Sequence, residues 1–171
     1  MPTFQHHHIV SFEETSLVGN VYFSNYVLWQ GHCREVFLSL HAPGVIQGLE
    51  HGKVAFLTRS CSCEYEGDWG FSALEEVIIA MHLANFRGGR MTLDFTYYNA
   101  ARPDQVVARG TQEVHCKVRR GEAWVAAPFP AELIRALLGF ADEERLREAL
   151  QQALEFLDAD RPDAGDAQIA S

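Results

Sequence analysis

Residues 25–41 carry Tyr26, Val27, Leu28, Trp29, Cys33, Val36, Phe37 and Leu40. At 3.6 residues per turn these positions cover more than one narrow stripe, and a helix apolar over most of its circumference has to be enclosed by other elements. Ser24 or Asn25 can N-cap it, and Pro43-Gly44 ends it. The enclosing elements come from the rest of the chain. Residues 4–14 read as a first strand and 15–24 as a loop centred on Gly19 and Asn20. Beyond Gly52, residues 54–66, 75–87, 90–99 and 106–119 are rich in Val, Ile, Thr, Phe and Tyr, the composition of strands. The breaks Gly67-Asp68-Trp69-Gly70, Gly88-Gly89 and Ala101-Arg102-Pro103-Asp104 suit antiparallel connections, with Gly88-Gly89 a two-residue hairpin. Residues 130–139 and 142–157 read as helices, the second opening on Asp142-Glu143-Glu144, as its dipole prefers. One antiparallel sheet wrapped around a long central helix, an α+β arrangement, is the predicted fold.

A chain of 171 residues with 47% apolar side chains can bury one sizeable core. The expectation is a single domain over residues 1–157 and a polar, aperiodic, disordered tail over 158–171. The net charge of −9 argues against nucleic acid or an anionic membrane as partner, because both need a basic face. No run of 18 apolar residues and no secretory leader stands out, so a cytoplasmic location with four reduced cysteines is expected. Cys61 and Cys63 would share a strand face, but no further ligands can be placed beside them. His6 and His8 alternate with His7 inside a strand pattern and read as structural. No metal and no cofactor is expected.

The run Phe12-Glu13-Glu14-Thr15-Ser16-Leu17-Val18-Gly19-Asn20-Val21-Tyr22-Phe23-Ser24-Asn25-Tyr26 resembles the signature of 4-hydroxybenzoyl-CoA-type hot-dog-fold thioesterases. There an acidic residue precedes a Gly-x-Val-Tyr/Phe-x-x-Asn-Tyr run that opens the central helix. Trp29-Gln30-Gly31-His32-Cys33-Arg34-Glu35, His41-Ala42-Pro43-Gly44 and Arg59-Ser60-Cys61-Ser62-Cys63-Glu64-Tyr65 are similar to the branch serving enediyne polyketide synthases. The resemblance spans roughly residues 5–140. It implies a homotetramer, a dimer of dimers with active sites at subunit interfaces. It also implies a polyene β-keto or β-hydroxy acyl substrate on the phosphopantetheine of an acyl carrier protein domain, released as the free acid.

Thioester hydrolysis needs a place for the developing oxyanion, a positioned water or nucleophile, and exclusion of bulk solvent. The helix N-terminus offers the first, and the resemblance implies the backbone N–H of Phe23 as donor. The family's catalytic acid matches Ser16. The enediyne branch replaces that acid with a neutral residue, usually Asn, beside the Arg matching Arg34, and Ser16 departs even from that Asn. A serine without an adjacent base is neither base nor good nucleophile. Ser16 and Asn20 are therefore candidates to hold water or the carbonyl, Arg34 to stabilise an oxyanion or β-oxygen, and Tyr26 to donate from its hydroxyl. Glu13 and Glu14 are the nearest acids, and either could substitute as base. Asn25, Trp29, Phe37 and Phe56 are the substrate-binding candidates, with Phe23, Leu57 and Trp69 as further channel residues. Arg87 with Arg90, or Arg119 with Arg120, could dock an acidic carrier. Phe23 and Arg34 are eleven residues apart, about 16 Å along a helix, so Arg34 acts part-way along it or on a neighbouring subunit's site.

Three other readings compete: a general acyl-CoA thioesterase, a non-catalytic acyl-binding hot-dog protein, and a hot-dog dehydratase suggested by Pro43-Gly44-Val45-Ile46. The last is disfavoured because its motif should open the central helix rather than follow it.

Overall fold

The structure is a computed structural model that describes residues 3–66 and 70–159. Period-2 alternation builds most of it. On β3 (Glu76–Arg87) Val77, Ile79, Met81 and Leu83 face inward, and on β4 (Arg90–Asn99) Met91, Leu93, Phe95 and Tyr97 do the same. These strands join β1 (Phe4–Ile9), β5 (Arg102–Arg120) and β2 (Val54–Tyr65) in one antiparallel sheet of order β1-β3-β4-β5-β2. A short β6 (Ala123–Ala126) pairs with β5. The inward face packs against α1 (Phe23–His41) through Tyr26, Trp29, Cys33 and Phe37, all at most 3% exposed. The predicted sheet around a long helix is therefore present. Helix α2 (Pro43–Glu50) follows α1, and α3 (Ala131–Leu138) and α4 (Glu144–Ala159) close one end with Leu133, Ile134, Leu137, Leu146 and Leu150.

Several boundaries differ from the sequence reading. The first strand stops at Ile9, because Glu14 turns back to take the Ser11 N–H (2.7 Å) and hydroxyl (3.1 Å), winding residues 12–14 into a 3-10 turn. Helix α1 starts at Phe23 with Tyr22 as N-cap and no capping side chain. Asn25 does not cap it, since its amide donates to the Glu14 carbonyl at 2.7 Å. Pro43 stops α1 but opens α2 at its first turn, where a missing N–H costs nothing. The turn before β5 is confined to residues 100–101, so the strand begins at Arg102 and Pro103 sits near its free end. Strand β6 was not anticipated. Helix α4 runs to Ala159, so residues 158–159 are helical rather than tail, and 160–171 lie outside the described residues, as does Trp69.

Helix α1 is also less enclosed than its composition suggests. The sheet covers one side only, and Phe23, Leu28 and Leu40 remain 59%, 52% and 65% exposed. Among the described residues no helix is long and apolar enough to cross a membrane.

Candidate active site

The approach to α1 is organised by one carboxylate. Besides Ser11, Glu14 accepts the Trp29 indole N–H (2.7 Å) and binds the His8 ring nitrogen (2.9 Å). Its side chain is only 14% exposed. Burial alone pushes its pKa up, but the bonds from the Ser11 N–H, Trp29 and His8 outweigh that and hold it below the ordinary carboxylate value. A carboxylate so engaged has no free lone pair aimed at a water. Glu14 is a structural hub, and Glu13 beside it points to solvent.

The next segment is a tight loop. Ser16 and Asn20 close it twice, by a backbone bond from the Ser16 N–H to the Asn20 carbonyl (2.7 Å) and by a bond from Ser16 Oγ to Asn20 Oδ1 (2.6 Å). Gly19 takes φ +88° at the bend. Bridges Thr15–Val21 and Asn20–Ser72 anchor the base, while Leu17 and Val18 stand out at 108% and 81% exposure. The Ser16 hydroxyl proton is directed to an amide oxygen, and no histidine pairs with it among the described residues. The structure thus brings Ser16, Asn20, Asn25 and the α1 N-terminus together without a Ser–His couple. With no side-chain cap on α1, the first N–H groups, of Phe23 and Ser24, have no acceptor among the described residues. They form a preorganised donor pair at the positive end of the helix dipole. The Phe23 carbonyl accepts from the Tyr65 hydroxyl at 2.9 Å, which ties the helix start to β2.

One turn on, Tyr26 is 3% exposed within an aromatic cluster of Trp29, Tyr65, Phe71 and Tyr97. Burial raises its hydroxyl pKa to about 12, and the Tyr97 hydroxyl donates to its backbone carbonyl at 2.7 Å. Trp29 is fully buried on the Glu14 hub. Phe37 packs edge-on to Phe4 and Phe140, and Phe56 packs edge-on to Phe129. Tyr26, Trp29 and Phe37 therefore sit in the core, and neither Phe37 nor Phe56 is at the α1 N-terminus.

Arg34 lies farther along α1 and reaches down to the sheet. Its Nη1 donates to Gln112 Oε1 on β5 (2.7 Å) and to Thr58 Oγ1 on β2 (3.2 Å). Among the described residues it forms no ion pair, with Glu35 or any other carboxylate. Burial lowers its pKa and the Glu35 charge works the other way, yet a guanidinium stays protonated at any ordinary pH. A half-buried cation held by neutral acceptors keeps its charge available for an incoming oxygen anion. Gln112, 3% exposed, and Thr58 were missed from the sequence. The available signal was one amide inside the inward-facing row Ala108, Gly110, Gln112, Val114, Cys116.

The crystal structures of the dynemicin thioesterase, which reveal induced-fit and allosteric effects upon polyene binding, superpose with a TM-score of 0.77 at 42% identity. That match covers 82% of this chain and 99% of theirs. The chain belongs to the hot-dog-fold thioesterases of the 4-hydroxybenzoyl-CoA family, in the enediyne polyketide branch. It is thus a thioester hydrolase. A 1,4-dihydroxy-2-naphthoyl-CoA thioesterase from Synechocystis is similar in fold, with TM-score 0.67, 18% identity, and 94% of this chain and 99% of that chain covered. So is the 4-hydroxybenzoyl-CoA thioesterase of a Pseudomonas strain, with TM-score 0.64, 19% identity, and 80% and 99% covered. No family model and no curated protein matches the chain.

Proposed function

We propose that this thioesterase hydrolyses a polyene β-keto or β-hydroxy acyl chain from the phosphopantetheine of an acyl carrier protein domain in an iterative enediyne polyketide synthase. The observation that carries the reading is Arg34, a half-buried guanidinium on two neutral acceptors. A β-oxygen or a thioester oxyanion supplies the charge it lacks. The polyene-binding dynemicin thioesterase, at 42% identity, supports the acyl class.

The division of labour follows from charge. The N–H groups of Phe23 and Ser24 receive the carbonyl oxygen as it becomes negative. Ser16 and Asn20 hold the attacking water by hydrogen bonds, the departing thiolate takes up the proton that the water loses as the C–S bond breaks, and Arg34 stabilises negative charge on the acyl side. Helix α1 separates Phe23 from Arg34 by about 16 Å along its axis, too far for one small reacting centre. A second protomer bringing its own α1 alongside makes the site complete, in a dimer of dimers. The exposed Leu17, Val18, Tyr22 and Phe23 around the helix start are surface that such a neighbour covers.

The test is steady-state hydrolysis of a β-ketoacyl carrier-protein thioester against a simple acyl-CoA. Arg34→Ala is expected to lower kcat about 100- to 1,000-fold and Ser16→Ala about tenfold or less. Preference for the acyl-CoA would favour the general acyl-CoA thioesterase. Native turnover in Arg34→Ala would remove the basis of the reading.

A further inference from the structure

The inward row of β5 is apolar or side-chain-free at Ala108, Gly110, Val114 and Cys116, with Gln112 alone presenting a polar side chain to α1. An amide buried at such a position needs a partner, since leaving it unpaired is unfavourable. Its partner is Arg34. The match between helix and strand is metric. Gln30 and Arg34 are four residues apart on α1, a rise of about 6 Å. Gly110 and Gln112 are two apart on β5, about 6.6 Å. Gln30 lies over Gly110, where a side chain would collide with its amide nitrogen, and Arg34 lies over Gln112. The strand is therefore relieved under one helix residue and gives a single acceptor to the next.

The identity of that acceptor matters more than its presence. A buried guanidinium is ordinarily matched by a carboxylate, which accepts two hydrogen bonds and neutralises it. Glutamate has the shape of glutamine and would fit the same space. The chain instead has an amide at 112 and a hydroxyl at 58. Together they use both protons of Nη1 and fix the plane of the guanidinium. Three N–H groups, two on Nη2 and one on Nε, have no acceptor among the described residues.

We propose that Gln112 is a positioning residue for the hydrolysis. It anchors Arg34 to β5 through a neutral oxygen, so the side chain is aimed and its positive charge stays uncompensated for the oxygen anion of a β-ketoacyl or β-hydroxyacyl thioester. This rests on the reading of Arg34 given above and adds that the sheet, not only the helix, sets how that arginine works.

The experiment compares native enzyme, Gln112→Glu, Gln112→Met and Arg34→Ala on a β-ketoacyl-N-acetylcysteamine thioester, with kcat, KM, pH–rate profile and Tm measured for each. In Gln112→Glu the new ion pair holds the arginine as firmly as before, so Tm stays level or rises. Yet kcat falls about 10- to 100-fold, because the charge meant for the transition state is taken up by the carboxylate. That deficit narrows as pH falls and the glutamate is protonated, since the neutral acid resembles the amide. In Gln112→Met the anchor is gone, and kcat falls with KM little changed. Native kcat and pH profile in Gln112→Glu, alongside an inactive Arg34→Ala, would overturn the role of Gln112 and leave the function standing. Native rates in Arg34→Ala would overturn the reading beneath it. Should Gln112→Glu not fold, native kcat in Gln112→Met would be enough to reject the proposal.

Discussion

Gly110→Ala tests how tightly α1 is seated on the sheet. A Cβ at residue 110 would fall on the Gln30 amide nitrogen, and would stand 3.2 Å from the Gln30 amide carbon and 3.0 Å from the Ser62 carbonyl oxygen. The last of these is backbone of the neighbouring strand β2 and cannot rotate away. Gln30 has to yield. It is fully buried, and its amide donates to that same Ser62 carbonyl at 2.9 Å. Displacement breaks that bond at a side chain shut off from bulk solvent.

Two terms set the size of the effect. Losing the buried hydrogen bond and stranding its groups costs about 1–3 kcal/mol. Forcing a methyl into close-packed surroundings costs about 1–3 kcal/mol more. The stiffer unfolded chain of alanine returns about 0.4–1 kcal/mol. The net expectation is a loss of about 1–5 kcal/mol, and at about 2–4 °C per kcal/mol for a chain of this size Tm falls by roughly 2–20 °C. Thermal melts followed by far-UV circular dichroism, at one fixed protein concentration, measure it. The double mutant with Gln30→Ala isolates the cause: with the amide gone, Gly110→Ala should cost at least 1 kcal/mol less than in the native background, roughly the coupling expected of residues in contact. A Tm within 2 °C of native, or the same loss in both backgrounds, would refute the packing argument.

Glu14→Gln should flatten the acid side of the stability profile. The native carboxyl is held below its ordinary value of 4.5, so its contribution is present above that pH and is lost as pH falls through the lower, folded-state pKa. Melts between pH 3 and 7 should converge for native and variant at the acid end, and parallel curves would count against the hub. Phe23→Pro removes one N–H at the first position of α1, where proline is tolerated and Tyr22 already has the extended conformation that precedes it (φ −67°, ψ 134°). It should keep the native Tm within a few degrees and lose kcat about 100-fold, as expected for one oxyanion donor. Unfolding and refolding equal amounts of Phe23→Pro and Arg34→Ala together should recover about a quarter of native activity if each site draws the two groups from different protomers of a two-fold dimer. No recovery would place both groups in one chain.

The architecture was readable because it is written in local periodicity. Alternation over 76–87 and 90–99 marks strands whatever packs on them, and Gly88-Gly89 fixes the hairpin between them, Gly88 taking φ +59°. The failures arose where a side chain acts at a distance. Glu14 looks like a surface acid in sequence. Only the fold brings Trp29 and His8 to it, whereas the turn that ends β1 early is local, made by Glu14 on Ser11 three residues back. Asn25 has the composition of an N-cap, but the Glu14 carbonyl claims its amide. The apolar girth of α1 calls for enclosure all round, yet Leu28 and Leu40 remain open on the side away from the sheet.

The site was legible in its residue types and illegible in its pairings. Sequence motif and helix geometry are enough to find the α1 N-terminus and Arg34 and to set them about 16 Å apart. They do not show which strand the arginine meets, because that depends on the register of β5 against α1, a relation across 78 residues of chain. Once that register is known, the missing acid matters less. Glu14 is occupied in holding the helix entrance, and Ser16 is closed on Asn20. The proposed chemistry then rests on groups that donate hydrogen bonds or carry positive charge. Under the proposed reading, a site of donors with no unengaged base paired to Ser16 among the described residues favours substrates whose own β-oxygen lowers the barrier to attack. It should discriminate against plain saturated acyl thioesters through kcat more than through KM, because the difference lies in the charge that develops after binding.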